Sequence, residues 1–206
     1  FISNQENDYF GQTDLFVYDL KDSTSKKISS GAKYAPSWVN DTSIVFSIRS
    51  KLNKNGSKYF DIYYIGLNMD EPIKLTKNSR LRSPIYNSKD GILAAISTKD
   101  GQSNISVVQF DCKNIDKKKY KKDPLKFIRI SDFTNQEYIS SINWGDNNEI
   151  LFDVITDHGR DIYSIKIDAE NFDIMKPTKL IDNNDDLRNP VFANDLIYFS
   201  NDYNGI

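Results

Sequence analysis

The 206-residue chain carries 27 basic and 29 acidic residues, a formal net charge of -2 and a pI near 5.5, so its overall charge supplies no attraction for nucleic acid. Hydrophobic residues make up 38% and aromatics 13%, enough to fill the sheets of one all-β domain, yet no apolar run approaches the roughly 20 residues that span a bilayer. A single cysteine, Cys112, excludes an internal disulfide, and a single histidine, His158, excludes a metal cluster of the usual nitrogen and sulfur type.

Short apolar, β-branched and aromatic runs follow one another along the chain, separated by Asn, Asp, Gly, Ser and Lys clusters, which is the pattern of strands and turns. The first unit, 1–32, supplies Phe1 to Asn4, Asp14 to Leu20 and Lys26 to Ser29. The second, 33–79, supplies Pro36-Ser37-Trp38, Ile44-Val45-Phe46-Ser47, Asp61-Ile62-Tyr63-Tyr64-Ile65 and Leu75-Thr76. The third, 80–135, repeats the series as Pro84-Ile85-Tyr86, Ala94-Ala95-Ile96-Ser97, Asn104-Ile105-Ser106-Val107-Val108 and Ile130-Ser131. The fourth, 136–184, repeats it as Ile142-Asn143-Trp144, Ile150-Leu151-Phe152-Asp153, Asp161-Ile162-Tyr163-Ser164-Ile165 and Leu180-Ile181. The last, 185–206, supplies Asn189 to Ala193 and Asp195 to Ser200. Four short antiparallel strands per repeat of roughly 40 to 50 residues is the arithmetic of a β-propeller blade. The expected fold is all-β, a single propeller segment forming an arc of three complete and two partial blades. No window of 11 to 18 residues holds apolar residues at helical spacing, which excludes a solenoid of helices.

The order apolar-x-Pro-x-aromatic, polar turn, Ile-x-Phe-Ser, Asp-Ile-Tyr, Leu-Thr, clearest from Lys33 onward, resembles the repeat of TolB-type bacterial β-propellers over essentially the whole chain. That family usually places Ser-Pro-Asp-Gly after the aromatic. Here Val39-Asn40-Asp41-Thr42, Asn87-Ser88-Lys89-Asp90-Gly91, Gly145-Asp146-Asn147-Asn148 and Ala193-Asn194-Asp195 stand instead. Asn, Asp and Gly still supply left-handed turn conformations, so the hairpin survives without the signature. Phe1 opens in the middle of a strand, so the chain is expected to be a piece of a longer protein and its lack of a leader is uninformative.

Trp38, Tyr86, Trp144 and Phe192 are expected to pack between neighbouring blades, where truncating Trp38 or Trp144 would cost on the order of 3 to 5 kcal/mol. Two insertions break the rhythm. Ser50 to Tyr59 lengthens the hairpin before the Asp61 strand. Residues 111–126 carry Lys113, Lys117, Lys118, Lys119, Lys121, Lys122 and Lys126 and are expected to form a solvated, mobile loop, with an acidic partner or a phosphate-bearing surface as the sharper alternative.

Little points to chemistry. No Gly-x-Ser-x-Gly elbow or Gly-rich phosphate cradle occurs, and His158 falls in the expected turn Thr156-Asp157-His158-Gly159-Arg160. Cys112 is expected to be an inert loop thiol. Asp182-Asn183-Asn184-Asp185-Asp186 approaches an alternating calcium loop but lacks its glycine and distal Glu, so it is taken as a polar connection. Asp14, Asp61 and Asp161, each opening a strand, are expected to accept backbone N–H bonds and fix turns. No catalytic, cofactor-binding or metal-binding residue is assigned, and no cofactor is expected.

The resemblance implies a noncatalytic protein- or peptide-binding scaffold of the bacterial cell envelope or periplasm, with no nucleic-acid partner. The alternative is the propeller portion of a larger secreted or envelope peptidase, prolyl-oligopeptidase-like or joined to a zinc peptidase, that filters or orients substrate. A structural or sugar-binding propeller is a third class. Blade number in the parent protein, the binding face and the oligomeric state are not encoded in any motif.

Overall fold

The computed structural model describes residues 1–135, 137–181 and 185–201. Among them are five antiparallel sheets. The first is β1 (Ile2–Ser3), β2 (Asp14–Asp19) and β3 (Thr24–Ser30), in that order. The second is β4 (Ala32–Asn40), β5 (Ser43–Arg49), β6 (Phe60–Gly66) and β7 (Ile73–Lys74). The third contains β8 (Leu81–Asn87), β9 (Ile92–Lys99), β10 (Gln102–Gln109) and β11 (Ile128–Arg129). In the fourth, β12 (Tyr138–Trp144), β13 (Glu149–Thr156), β14 (Gly159–Lys166) and β15 (Thr178–Ile181) again follow chain order, and β16 (Leu187–Ala193) pairs with β17 (Leu196–Asn201) in the fifth. Three four-stranded meanders with one three-stranded and one two-stranded sheet are what the sequence pattern predicts.

The chain forms two compact units, residues 1–88 with 111–126, and residues 89–110 with 127–206. In the first, β8 packs on β4, β5 and β6. Its core holds Leu15, Ala32, Ile44, Phe46 and Ile65, with Ile2, Val17, Ile28 and Tyr63 packed around them. In the second unit β16 packs on β12, β13 and β14. Ile150, Leu151, Phe152, Val154, Ile162 and Ile165 are buried there. Buried residues run consecutively along β5, β9 and β13 because both faces of these middle strands are covered.

The first, second and fourth sheets carry a repeated device that the sequence only hints at. Phe1 stacks on Phe16 with ring centroids 5.6 Å apart, Phe46 lies 6.1 Å from Tyr63, and Phe152 stacks on Tyr163 at 5.9 Å. In each sheet the inner aromatic pairs across the ladder with a lysine: Phe16 with Lys27, Tyr63 with Lys74, Tyr163 with Lys179. Each lysine reaches the Asp that opens the strand, at 2.5 Å for Lys27 and Asp14, 2.7 Å for Lys74 and Asp61, and 3.0 Å for Lys179 and Asp161. Aliphatic stems of such lysines cover apolar surface while the ammonium stays at its rim.

One expected inter-blade wedge is corrected by the structure: Trp38 is 51% exposed, whereas Tyr86, Trp144 and Phe192 are intermediate in burial. Register shifts bear on where these aromatics sit. β4, β12 and β16 all lose register just ahead of the aromatic, between Lys33 and Ser37, Ile139 and Ile142, and Arg188 and Val191. A bulge shifts which face each later side chain takes, and Pro36 and Pro190 sit where a missing N–H breaks no ladder bond. Val39, Ile142 and Leu187 take the buried positions in these strands.

The lysine-rich insertion also differs from expectation. It forms a helix, α1 (Lys117–Lys122), capped by Asp116, whose side chain accepts the Lys118 N–H, and anchored by the buried Tyr120. The Leu125 N–H donates to the Leu75 carbonyl at 2.8 Å, tying the segment to the end of β7. A six-residue helix has little stability alone, so this packing and the cap hold it.

Candidate functional site

The three strand-opening acids do structural work. Asp61 is fully buried. Its Oδ1 accepts the Ser79 N–H at 2.9 Å, the Ser79 hydroxyl at 3.0 Å and the Thr76 hydroxyl at 3.2 Å. The carboxylate thereby pins the link between β7 and β8. Asp14 does the same for the link to β4, taking the Gly31 N–H at 2.9 Å. Gly31 has φ +77°, a conformation that glycine adopts without strain. In the third sheet Asn104 replaces the acid, and its Oδ1 accepts the Phe133 N–H at 2.8 Å and the Ser131 hydroxyl at 2.9 Å. For Asp14 and Asp61 the side chain does fix backbone, although it clamps the link to the next sheet rather than a hairpin turn, while Asp161 pairs with Lys179 at 3.0 Å. Burial pushes the Asp14 carboxyl up, but bonds from Lys27, Gly31 and Asn7 outweigh it and leave the group below the ordinary carboxylate range.

The other sequence candidates do not converge. His158 sits at the tip of the β13–β14 hairpin with its side chain 90% exposed, 3.5 Å from Asp157, and its N–H donates to the Thr156 hydroxyl. Cys112 is half-buried and accepts the Tyr86 hydroxyl at 3.4 Å, while burial first and this contact second push the Tyr86 phenol up. Asp182, Asn183 and Asn184 lie outside the described residues. Of the same run, Asp186 pairs with Arg160 at 3.0 Å and with Arg188. No group of three or more His, Cys, Asp or Glu side chains converges among the described residues.

Asp153 is the buried acid without a sequence forecast. Its Oδ1 accepts the Ser141 N–H at 2.9 Å and the Ser141 hydroxyl, filling the bulge of β12, and Arg160 stands 3.5 Å from Oδ2. Burial raises its pKa above the usual carboxylate value despite these partners. Ser47 fills the corresponding bulge of β4 by donating to the Lys33 carbonyl at 2.5 Å. The shared task marks Asp153 as a bulge filler.

The feature that sequence reasoning missed lies at one end of the second sheet, in the first unit. Arg49 and Phe60 close the β5–β6 ladder, and the Arg49 guanidinium stands 6.0 Å from the Phe60 ring. Tyr34 meets Phe60 edge-on at 5.0 Å and carries Arg82 over its own face at 5.1 Å. Arg80 lies 4.5 Å above Tyr59 and donates to its hydroxyl at 3.1 Å, which holds that phenol below its ordinary pKa. Arg80 itself has φ +57°, an uncommon conformation for a residue with a Cβ. Beside this cluster, Lys33 donates to the Gly11 carbonyl in the β1–β2 hairpin, whose Phe10 is 92% exposed. The available signal was charge: residues 42–60 hold Arg49, Lys51, Lys54 and Lys58, residues 72–88 hold Lys74, Lys77, Arg80 and Arg82, and neither stretch contains Asp or Glu.

A separate apolar groove of about 230 Å³ runs between β1–β2 and β4, lined by Phe1, Phe16, Tyr18, Pro36 and Trp38 among others. It has room for one or two apolar side chains and offers no titratable pair.

No protein-family model matches the sequence, and no curated protein matches it by sequence. Solved structures do match. The β-propeller domain of the Trilobed protease from Pyrococcus furiosus superposes with a TM-score of 0.60 at 8% identity, over 93% of this chain and 52% of that one. The acylaminoacyl peptidase of Pyrococcus horikoshii gives 0.57 at 13% identity, over 87% and 26%. TolB from Acinetobacter baumannii gives 0.55 at 16% identity, over 85% and 40%. The chain thus spans between about a quarter and a half of the length of these proteins. At such identities the likeness establishes the fold alone: the four-stranded meanders are those of β-propeller proteins, among them TolB propellers and the propellers of peptidases.

Proposed function

We propose that this chain is a noncatalytic binding module of TolB-like type in the bacterial cell envelope, presenting loops on a rigid sheet framework to a protein or peptide partner. The observation that carries the proposal is how the fold employs its buried polar groups. Asp14, Asp61, Asn104 and Asp153 each accept main-chain N–H bonds that fix links or bulges. These acceptor oxygens hold backbone, and what differs from sheet to sheet is the loops. Loops on rigid scaffolds are where binding residues concentrate. The bacterial setting is supported by the Pro-x-aromatic, Ile-x-Phe-Ser and Asp-Ile-Tyr repeat together with the match to TolB.

The likeness to two peptidase propellers favours a second reading, in which the segment orients substrate for a catalytic domain elsewhere in a longer chain. Cross-linking mass spectrometry on the chain incubated with bacterial envelope extract tests the first. It predicts one partner cross-linked to inter-strand loops, with no cleavage of fluorogenic peptides by the purified chain. Peptide cleavage by the chain, or cross-links spread evenly over all surfaces, would contradict it.

A further inference from the structure

We infer that the Arg-aromatic end of the second sheet is a docking surface for an acidic polypeptide segment. The inference rests on the binding reading above and names the face and the partner's chemistry. Its first support is charge. The Ser50–Tyr59 hairpin brings Lys51, Lys54 and Lys58, all exposed, to the end of the sheet where Arg49 and Arg80 emerge, also exposed. The acids nearest in sequence, Asp41 and Asp61, lie beyond the hairpin on either side, and Asp61 is buried against Lys74. Four cations on one long hairpin and a fifth from the adjoining link have no carboxylate interleaved within either stretch. Five exposed cations with no acid interleaved give this end of the sheet a local positive field within a chain of net charge -2.

The second support is geometry, and it selects the class of anion. Arg80 lies over the Tyr59 ring, Arg82 over Tyr34, and Arg49 beside Phe60. Arg80 and Arg82 each occupy one face of a tyrosine ring, which leaves less ring surface for the stacked bases of single-stranded nucleic acid. A guanidinium held over a ring loses less freedom on binding, and its remaining N–H groups form a fork that suits a carboxylate. The hairpin also exposes Leu52, and Phe10 stands on the neighbouring hairpin, so apolar residues flank the cations. The occupant is therefore a segment in which Asp or Glu alternates with apolar side chains, bound through Arg49, Lys54 and Arg80, with Leu52 and Phe10 as its apolar contacts.

The test uses the 206-residue chain and fluorescence anisotropy of a labelled peptide of repeated Glu-Glu-Leu, with the lysine-for-glutamate peptide and an oligothymidylate as comparison probes. The account predicts saturable binding of the acidic peptide, weakening about tenfold or more between low and physiological salt, as screening of exposed charges requires. Arg80→Glu with Lys54→Glu abolishes it, a loss of about a hundredfold. Lys118→Glu with Lys121→Glu and Lys122→Glu on α1 changes the net charge more and leaves binding within about twofold, since none of these lysines belongs to the Arg49, Lys54 and Arg80 cluster. Thermal melts of both variants should match the parent, because every altered side chain is exposed. Equal loss in the α1 variant, tighter binding of the oligothymidylate, or no binding of the acidic peptide overturns the inference. If the acidic peptide fails while cross-linking still finds a partner on the loops, only the partner chemistry falls and the binding reading stands.

Discussion

Replacing Asp61 separates two roles that its carboxylate plays at once. In Asp61→Ala the Ser79 N–H loses its acceptor in a partly buried setting, a cost of about 1 to 3 kcal/mol. The hydroxyls lose less, because Ser79 Oγ and Thr76 Oγ1 remain 2.8 Å apart and the Ser79 hydroxyl also reaches the Phe60 carbonyl at 3.2 Å. The Lys74 side chain is 38% exposed, so its ammonium turns to water and adds no more than about 1 kcal/mol. The sum is about 2 to 4 kcal/mol. Asp61→Asn keeps an Oδ1 acceptor and loses only the ion pair, about 1 kcal/mol or less. Asn104 already performs the same clamping in the third sheet without a charge. Urea denaturation should therefore show a much lower midpoint for the alanine variant at unchanged slope, and Tm should fall by roughly 5 to 12 °C against roughly 1 to 4 °C for the asparagine variant. Equal losses in the two variants would show that the charge, rather than the accepted N–H, fixes the link, and would refute the reasoning.

The remaining expectations concern packing, pH and the insertion. Phe46→Ala, at a fully buried position, should cost about 3 to 5 kcal/mol, whereas Trp38→Ala should cost about 1 kcal/mol, both read from denaturant midpoints. Asp14 has a folded pKa below its unfolded one, so its contribution is present above the ordinary carboxylate value near 3.9 and lost as pH falls through the folded value. The gap in denaturation midpoint between the parent and Asp14→Asn should accordingly close as pH drops below about 4. For Asp153 the sign is opposite. A folded pKa raised by burial means stability is lost as pH rises through it, so Asp153→Asn should be neutral or stabilising at pH 7 by up to about 1 kcal/mol. Tyr120→Ala, which removes the anchor of α1, should speed tryptic cleavage among Lys117 to Lys122 with little change in global midpoint.

The strand framework was legible because two signals agree along it. Period-two and continuous apolar runs bounded by turn residues locate β5, β6, β9, β10, β13 and β14, and Asp61 of Asp-Ile-Tyr marks the clamp to the next link. Trp38 misled, since a bulge cannot be seen in a hydrophobic pattern that treats every strand as having one parity. The helix in the lysine-rich insertion was hidden for a related reason. Six residues with one apolar member, Tyr120, carry no periodicity, and the helix owes its existence to a cap and a tertiary contact. The Arg-aromatic end escaped because its members come from the start of β4, the β5–β6 hairpin and the link before β8. Each looked unremarkable alone, while the shared absence of acids across 42–60 and 72–88 could have flagged the region.

Amide hydrogen exchange read by mass spectrometry probes the strand assignment most directly. Peptides from the middle strands β5, β6, β9, β10, β13 and β14 should be the slowest to exchange, with β7, β11 and the β16–β17 pair exchanging much faster. Uniform protection along the chain, or the slowest exchange in residues 50–59 or 111–126, would contradict a framework of short meanders with loops appended.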